Sequence, residues 1–460
     1  MREIKRKPTT MTINRKFILV MAVAVVFILA GCTNQKAPSP APQPPQDTQE
    51  VMPDAELSDI SLDSSTGPEN ANALVFQNVN LITMVNDQVL ENQSVVVEDG
   101  LIIAIGDANS ISIPENARII PGEGHYLMPG LFDMHVHWWR YTGEETLYLA
   151  NGVTSVMNMW GSPEILRLQA SIEAGSHLAP RLFSTGPIFD GPEPIWPESQ
   201  VLSTPEEARE AVIQVKEQGY NAVKIYEMLT LEVYQAIMDT AKEIDIKVVG
   251  HVPRQVGLQQ AAAQGQHTIE HLGGFNLENL DQETQLLADH NVWSTPTLAI
   301  VNVMKAEGEI DGLEFIPPRT LNLWRNRKDS GVWTYDLSIR QRIVRNLHEK
   351  GGRIMAGTDA NNPYVVPGFS LHNELTYLAE AGLSPYQVLQ TATTNPAEFL
   401  GQQGKLGTLE VGKEADVILL THNPLEDITN TRTIAGTMSR GRWLPQDWIE
   451  EELEKVRYKY

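Results

Sequence analysis

The chain has 460 residues, long enough to bury a large core, and its 42% hydrophobic and 20% charged residues are ordinary for a globular protein. The balance is acidic, 35 Lys and Arg against 58 Asp and Glu for a net charge of −23. With no basic stripe of interleaved aromatics it argues against a nucleic-acid partner, and a single cysteine excludes an internal disulfide framework.

The N-terminus carries Arg2, Lys5, Arg6, Lys7, Arg15 and Lys16, then an apolar run over 17–30 that is short for a membrane span. The run ends Leu29-Ala30-Gly31-Cys32, which resembles the lipobox of bacterial lipoproteins. That resemblance implies a signal peptide over 1–31, cleavage before Cys32 and a lipid on its thiol. The expectation is an exported lipoprotein, periplasmic or cell-surface and membrane-anchored; the alternative is an uncleaved signal anchor. Residues 32–72 are rich in Pro, Ser, Gln, Asp and Glu. They bury too little apolar surface to offset their ordering entropy and read as a disordered tether.

From Ala73 short β segments begin, ALVFQNVNLITM and then QSVVVEDGLIIAIG, with Asp99-Gly100 as a tight hairpin turn. Further β segments follow near the C-terminus, ADVILLTHN and RTIAGTMSRGRWL. The two sets are read as halves of one small β-sandwich, over 73–128 and 404–446, with a tail helix over 447–460.

Between them, over 129–403, β-like runs alternate with helical ones: 131–137, 153–160, 181–186, 221–226, 247–252, 267–272, 292–300 and 353–360. Eight such runs predict an α/β protein with a (β/α)8 TIM barrel. Thr204-Pro205-Glu206-Glu207 is a capping box with Pro at the first helical position. Ala208, Val212 and Val215 then form an apolar stripe, and Tyr234, Ile237, Ala241 and Ile244 form a second. Residues 302–345 are a longer insertion expected at the rim of the site.

The first barrel strand reads MPGLFDMHVHWW. Strand alternation puts His135 and His137 on one face, suited to holding metal, although many such pairs are merely solvated strand ends. Lys224 sits between Val223 and Ile225, where a buried ammonium needs a partner. His251, His271 and Asp359 each end another strand. Singly these read as a satisfied histidine or a helix cap; together they converge on the face where such barrels keep active sites. Tyr226 shares the face of Lys224. Trp138, Trp139, Arg140 and Trp160 are substrate-pocket candidates, Arg140 for a substrate carboxylate. His267 is expected in an inner barrel layer, and His372 beside the ligands or in the core.

HVH, Lys224, His251, His271 and GTDA, with the tail TATTNPAEFLG and GKLGTLEVGKEADVILL, resemble the metal-dependent amidohydrolase superfamily. VKIY and GHVP are most similar to its imidazolonepropionase-like and Xaa-Pro (prolidase-like) dipeptidase branch. The resemblance implies two divalent metals, zinc first. His135, His137 and Asp359 would hold the more buried ion and His251 and His271 the other, with Lys224 carbamylated by CO2 (N6-carboxylysine) as the bridge. It further implies cleavage of a C–N amide, in a dipeptide or N-acyl amino acid, by a metal-bridging hydroxide. Asp359 would shuttle the proton and Tyr226 donate to the oxyanion.

Three alternatives stay open: a cyclic amide or lactone hydrolase, a mononuclear imidazolonepropionase- or deaminase-like enzyme, and a non-catalytic metal- or solute-binding surface lipoprotein. The expected partners are a small-molecule substrate and, through Cys32, the membrane; a homo-oligomer is compatible with the sequence.

Overall fold

A computed structural model of the chain describes residues 73–329 and 336–459. The proposed signal peptide, Cys32 and the tether lie outside the described residues.

Five strands open the described chain: β1 (Ala73–Ile82), β2 (Val89–Glu98), β3 (Leu101–Asp107), β4 (Arg118–Pro121) and β5 (Tyr126–Pro129). β2 and β3 form the expected hairpin. Asp99 and Gly100 both take positive φ, 49° and 77°, as a two-residue turn with right-handed strand twist requires. β15 (Val417–Leu420), β16 (Ile434–Ser439) and β17 (Arg442–Pro445) come from the far end of the chain. All eight make one sheet in the order β17-β16-β15-β5-β1-β2-β3, with β4 paired to β1. Its apolar core includes Phe76, Val79, Leu127, Leu419 and Trp443, with the Phe76 and Trp443 rings edge to face at 5.1 Å. The sandwich is therefore a single sheet built from both ends of the chain.

The barrel strands are β6 (Leu131–Val136), β7 (Val153–Asn158), β8 (Arg181–Asp190), β10 (Ala222–Ile225), β11 (Lys247–Gly250), β12 (Thr268–Glu270), β13 (Trp293–Thr295) and β14 (Arg353–Ile354). A short β9 (Gln200–Val201) pairs in parallel with the end of β8 alone. Parallel ladders join β6 through β11 and β12 through β14. The two arcs meet where His267 N–H donates to Val248 O at 2.9 Å and where Met134 N–H donates to Ala356 O at 3.0 Å. β6, β7 and β10 are buried along their whole length, as parallel strands sheathed by helices must be.

Helix Pro205–Glu217 carries both hydrogen bonds of the predicted Thr204/Glu207 capping box and buries Ala208, Val212 and Val215. The seventh β-like run departs from expectation: Pro296 supplies no N–H and Thr297 turns to φ 48°, so the strand stops at Thr295 and a 3-10 helix (Leu298–Met304) follows. The insertion folds into helices, Pro318–Asp329 among them, around the buried Trp324. Helix Gln446–Val456 packs over this region. Val456 lies where a Cβ on Gly143 would approach to 2.4 Å, and Tyr458 N–H donates to Glu314 O at 2.8 Å.

Candidate metal centre

Asp133, His135 and His137 alternate along β6 and its end, and each does separate work. Asp133 accepts from Thr358 N–H at 2.9 Å and from Thr358 Oγ1–H at 2.6 Å, which fastens the segment after β14 to β6. Gly357 permits this approach, because a Cβ there would lie 2.9 Å from His135 N. Asp359 lies five residues past β14, with φ 66°. Its Oδ1 lies 3.0 Å from His137 Nε2 and 3.4 Å from His135 Nε2. These three side chains present ligand atoms within 4.8 Å of one another.

The second half stands alongside. The His271 ring is centred 4.5 Å from that of His135 and 4.7 Å from that of His251. Three imidazoles are fixed through Nδ1: His135 by Glu270 Oε2 at 2.7 Å, His251 by Glu227 Oε1 at 3.3 Å and His271 by Thr297 Oγ1 at 2.7 Å. Each Nε2 is thereby kept for a ligand, the arrangement metal-binding histidines need. Lys224 is 1% exposed and its Nζ has no hydrogen-bond partner.

The residues fit a divalent cation. His135 Nε2, Asp359 Oδ1 and Lys224 Nζ are buried without hydrogen-bond partners, as is His137 Nδ1, and such orphans are costly unless something unites them. Imidazole nitrogen with carboxylate oxygen suits zinc and its neighbours. Burial holds His135 and His271 well below the usual imidazole range, helped for His135 by Lys224 and for His271 by His251. The rings are neutral, as ligands must be. Burial also lowers the Lys224 ammonium, against the pull of Glu270 and Asp359, and raises the Glu270 carboxyl to about 7.

These residues open onto a cavity of about 530 Å³, the size of a small-molecule site. Trp138, Trp160 and Tyr226 line it as expected, as does Trp139. Arg140 does not: it takes φ 60° and its N–H donates to Glu144 Oε2 at 2.7 Å, and the cationic wall comes instead from Arg327 and Arg340. His267 Nδ1 accepts from Val248 N–H at 3.2 Å at the start of β12, away from the ligands. His372 is core, engaged with Thr431 Oγ1 at 2.9 Å, and burial lowers it to about 3. Sequence reasoning missed Glu270, Asp133, Trp196, Arg327 and Arg340. Asp133 and Glu270 left a signal, each a carboxylate at an inward position of an apolar strand.

The sequence profile of the Amidohydrolase family matches residues 126–444. An ochratoxinase of Aspergillus niger is 24% identical over 410 residues, covering 74% of this chain and 79% of that enzyme. An imidazolonepropionase of Sphingopyxis alaskensis is 26% identical over 388 residues, covering 75% and 90%. The crystal structure of a putative prolidase from Bifidobacterium longum superposes with a TM-score of 0.66 at 26% identity, covering 84% of this chain and 99% of that one.

Proposed function

Because this chain belongs to the amidohydrolase family, we propose that it is a binuclear metal-dependent hydrolase cleaving the amide C–N bond of a small substrate, a dipeptide or N-acyl amino acid. The observation that carries this reading is Lys224, buried and unpartnered among His135, His251, His271 and Asp359. Its depressed ammonium favours the neutral amine, the form that adds CO2. A carbamate there would be anionic, a charge that His135, His251 and His271 around it do not supply.

His135, His137 and Asp359 would hold one ion, His251 and His271 the second, with Lys224 between them. Divalent metal bound there would polarise the scissile carbonyl and acidify a water. Asp359 takes the proton of the attacking water and delivers it to the departing amine. Trp196 Nε1–H donates to Tyr226 Oη at 2.9 Å, which orients the phenol to donate its own proton toward the developing oxyanion. Glu270 fixes the tautomer of His135. A one-metal reading uses His135, His137 and Asp359 alone and leaves Lys224 an ammonium between Glu270 and Asp359, the two carboxylates that raise its proton affinity.

Metal analysis of Lys224→Ala, with hydrolysis of a panel of dipeptides and N-acyl amino acids, separates the two. Two metal equivalents that fall sharply in the variant, with activity lost, support the binuclear reading. One equivalent retained with full activity refutes it. The proposal extends to location: the chain is exported and tethered through a lipid on Cys32, so labelled fatty acid is expected on the parent chain and none on Cys32→Ala.

A further inference from the structure

Strand order sets two unlike walls face to face across the barrel mouth. On one side stand Trp160, just past β7, and Trp196, in the loop after β8. The Trp160 ring is centred 6.4 Å from that of His137 and 6.2 Å from that of Trp196. Trp196 in turn contacts Tyr226, whose ring lies 3.9 Å from that of His251. An arc of rings thus runs from one half of the ligand set to the other.

On the far side of the ring, beyond β13, Arg340 is seated by its Nη2–H donating to Pro296 O at 2.7 Å, and Arg327 reaches the same cavity from helix Pro318–Asp329. Two guanidinium groups at one cavity run against the −23 charge of the whole chain. Their forked donors match a carboxylate, and flat indole faces match a planar ring.

The geometry points to a substrate that is a small aromatic carboxylic acid containing the scissile amide, its ring against Trp160 and Trp196 and its carboxylate against Arg340 and Arg327. This rests on the hydrolase reading above. One water is consumed: its oxygen joins the acyl carbon as the C–N bond breaks, giving a carboxylate and an ammonium product.

The test compares N-benzoylglycine and N-acetylphenylalanine, which carry ring and charge, with N-acetylglycine, which lacks the ring, and N-benzoylglycinamide, which lacks the charge. Zinc-reconstituted protein is expected to show kcat/KM at least tenfold higher for one of the first two than for either control. Arg340→Gln is expected to erase the acid-over-amide preference. Trp196→Ala is expected to erase the ring preference and Trp196→Phe to keep it; Arg327→Gln serves if Arg340→Gln fails to fold. Quenching of tryptophan fluorescence by the same compounds reads binding without turnover. Equal values across the series overturn this inference while leaving the hydrolase reading intact. Selective binding with no amide cleaved sinks the hydrolase reading, and with it the scissile amide, and leaves only the recognition of ring and carboxylate standing.

Discussion

Glu270 Oε2 lies 2.7 Å from His135 Nδ1, and both side chains are fully out of solvent. The carboxylate also accepts from Thr268 Oγ1–H, so its position is set from its own strand. An imidazole aimed by a buried carboxylate binds metal more tightly, and loss of such a partner costs roughly 10–100-fold in affinity. Glu270→Ala is therefore expected to lower zinc affinity within that range, and Glu270→Gln by less, since an amide oxygen still accepts from Nδ1–H. Titration against a competing chelator measures both; unchanged affinity in Glu270→Ala would refute the role.

Asp190 organises the loop that delivers Trp196. Its carboxylate accepts three backbone N–H groups, Gly191 at 3.0 Å, Ile195 at 2.9 Å and Met228 at 2.6 Å. Asp190→Ala leaves all three without an acceptor at about 1–3 kcal/mol each where no water replaces it. The expected outcome is a lower Tm together with a KM raised more than kcat falls, since the damage is to the cavity wall. Steady-state kinetics and thermal unfolding check it.

The same residues mark what the sequence could disclose. Alternation made the His135/His137 pair legible, and eight apolar runs made the barrel legible, the first from period-2 strand geometry and the second from burial of both strand faces. Lys224 was visible as a charge where burial forbids one. Legibility stopped where strands end. His271 and Asp359 sit at φ 58° and 66°, so strand parity does not carry past Glu270. Trp196, Arg327 and Arg340 reach the cavity from loop and insertion helices, whose path no local periodicity encodes. Arg140 was misjudged for the same reason, since Glu144 draws its backbone into a turn.

Buried carboxyls give stability a pH dependence of definite sign. Burial raises Glu374 to about 8 and Glu144 to about 8, whereas an unfolded glutamate titrates near about 4.3. Between those values the folded chain retains protons that the unfolded chain has lost. Their contribution is full below the unfolded pKa and declines as pH rises through the folded one. Tm is expected to fall by several degrees from pH 6 to pH 9. Glu374→Gln mimics the protonated form and is expected to shrink that fall; an identical slope in the variant would count against the assignment.

Gly143 and Val456 couple the first loop of the barrel to the final helix. Gly143 takes φ 87°, and an added Cβ would meet Val456 Cγ1 at 2.4 Å. Gly143→Ala carries two costs, about 1–2 kcal/mol for the left-handed backbone and about 1–3 kcal/mol for overpacking. In the double variant with Val456→Ala only the second is expected to be relieved. Denaturant unfolding of both single variants and the double variant separates the two; strict additivity would exclude the contact.

The sheet in which β5 lies between β1 and β15 has a consequence for biosynthesis. β1, β2 and β5 leave the ribosome early, yet the strand that covers β5 is translated only after the whole barrel. At ordinary elongation rates of about 5–20 residues per second that interval lasts tens of seconds. Through it Leu81, Leu127 and their neighbours have no lasting cover, and β5 offers an open edge to any passing strand. The nascent chain needs a holding chaperone more acutely than a barrel closed by its own consecutive strands.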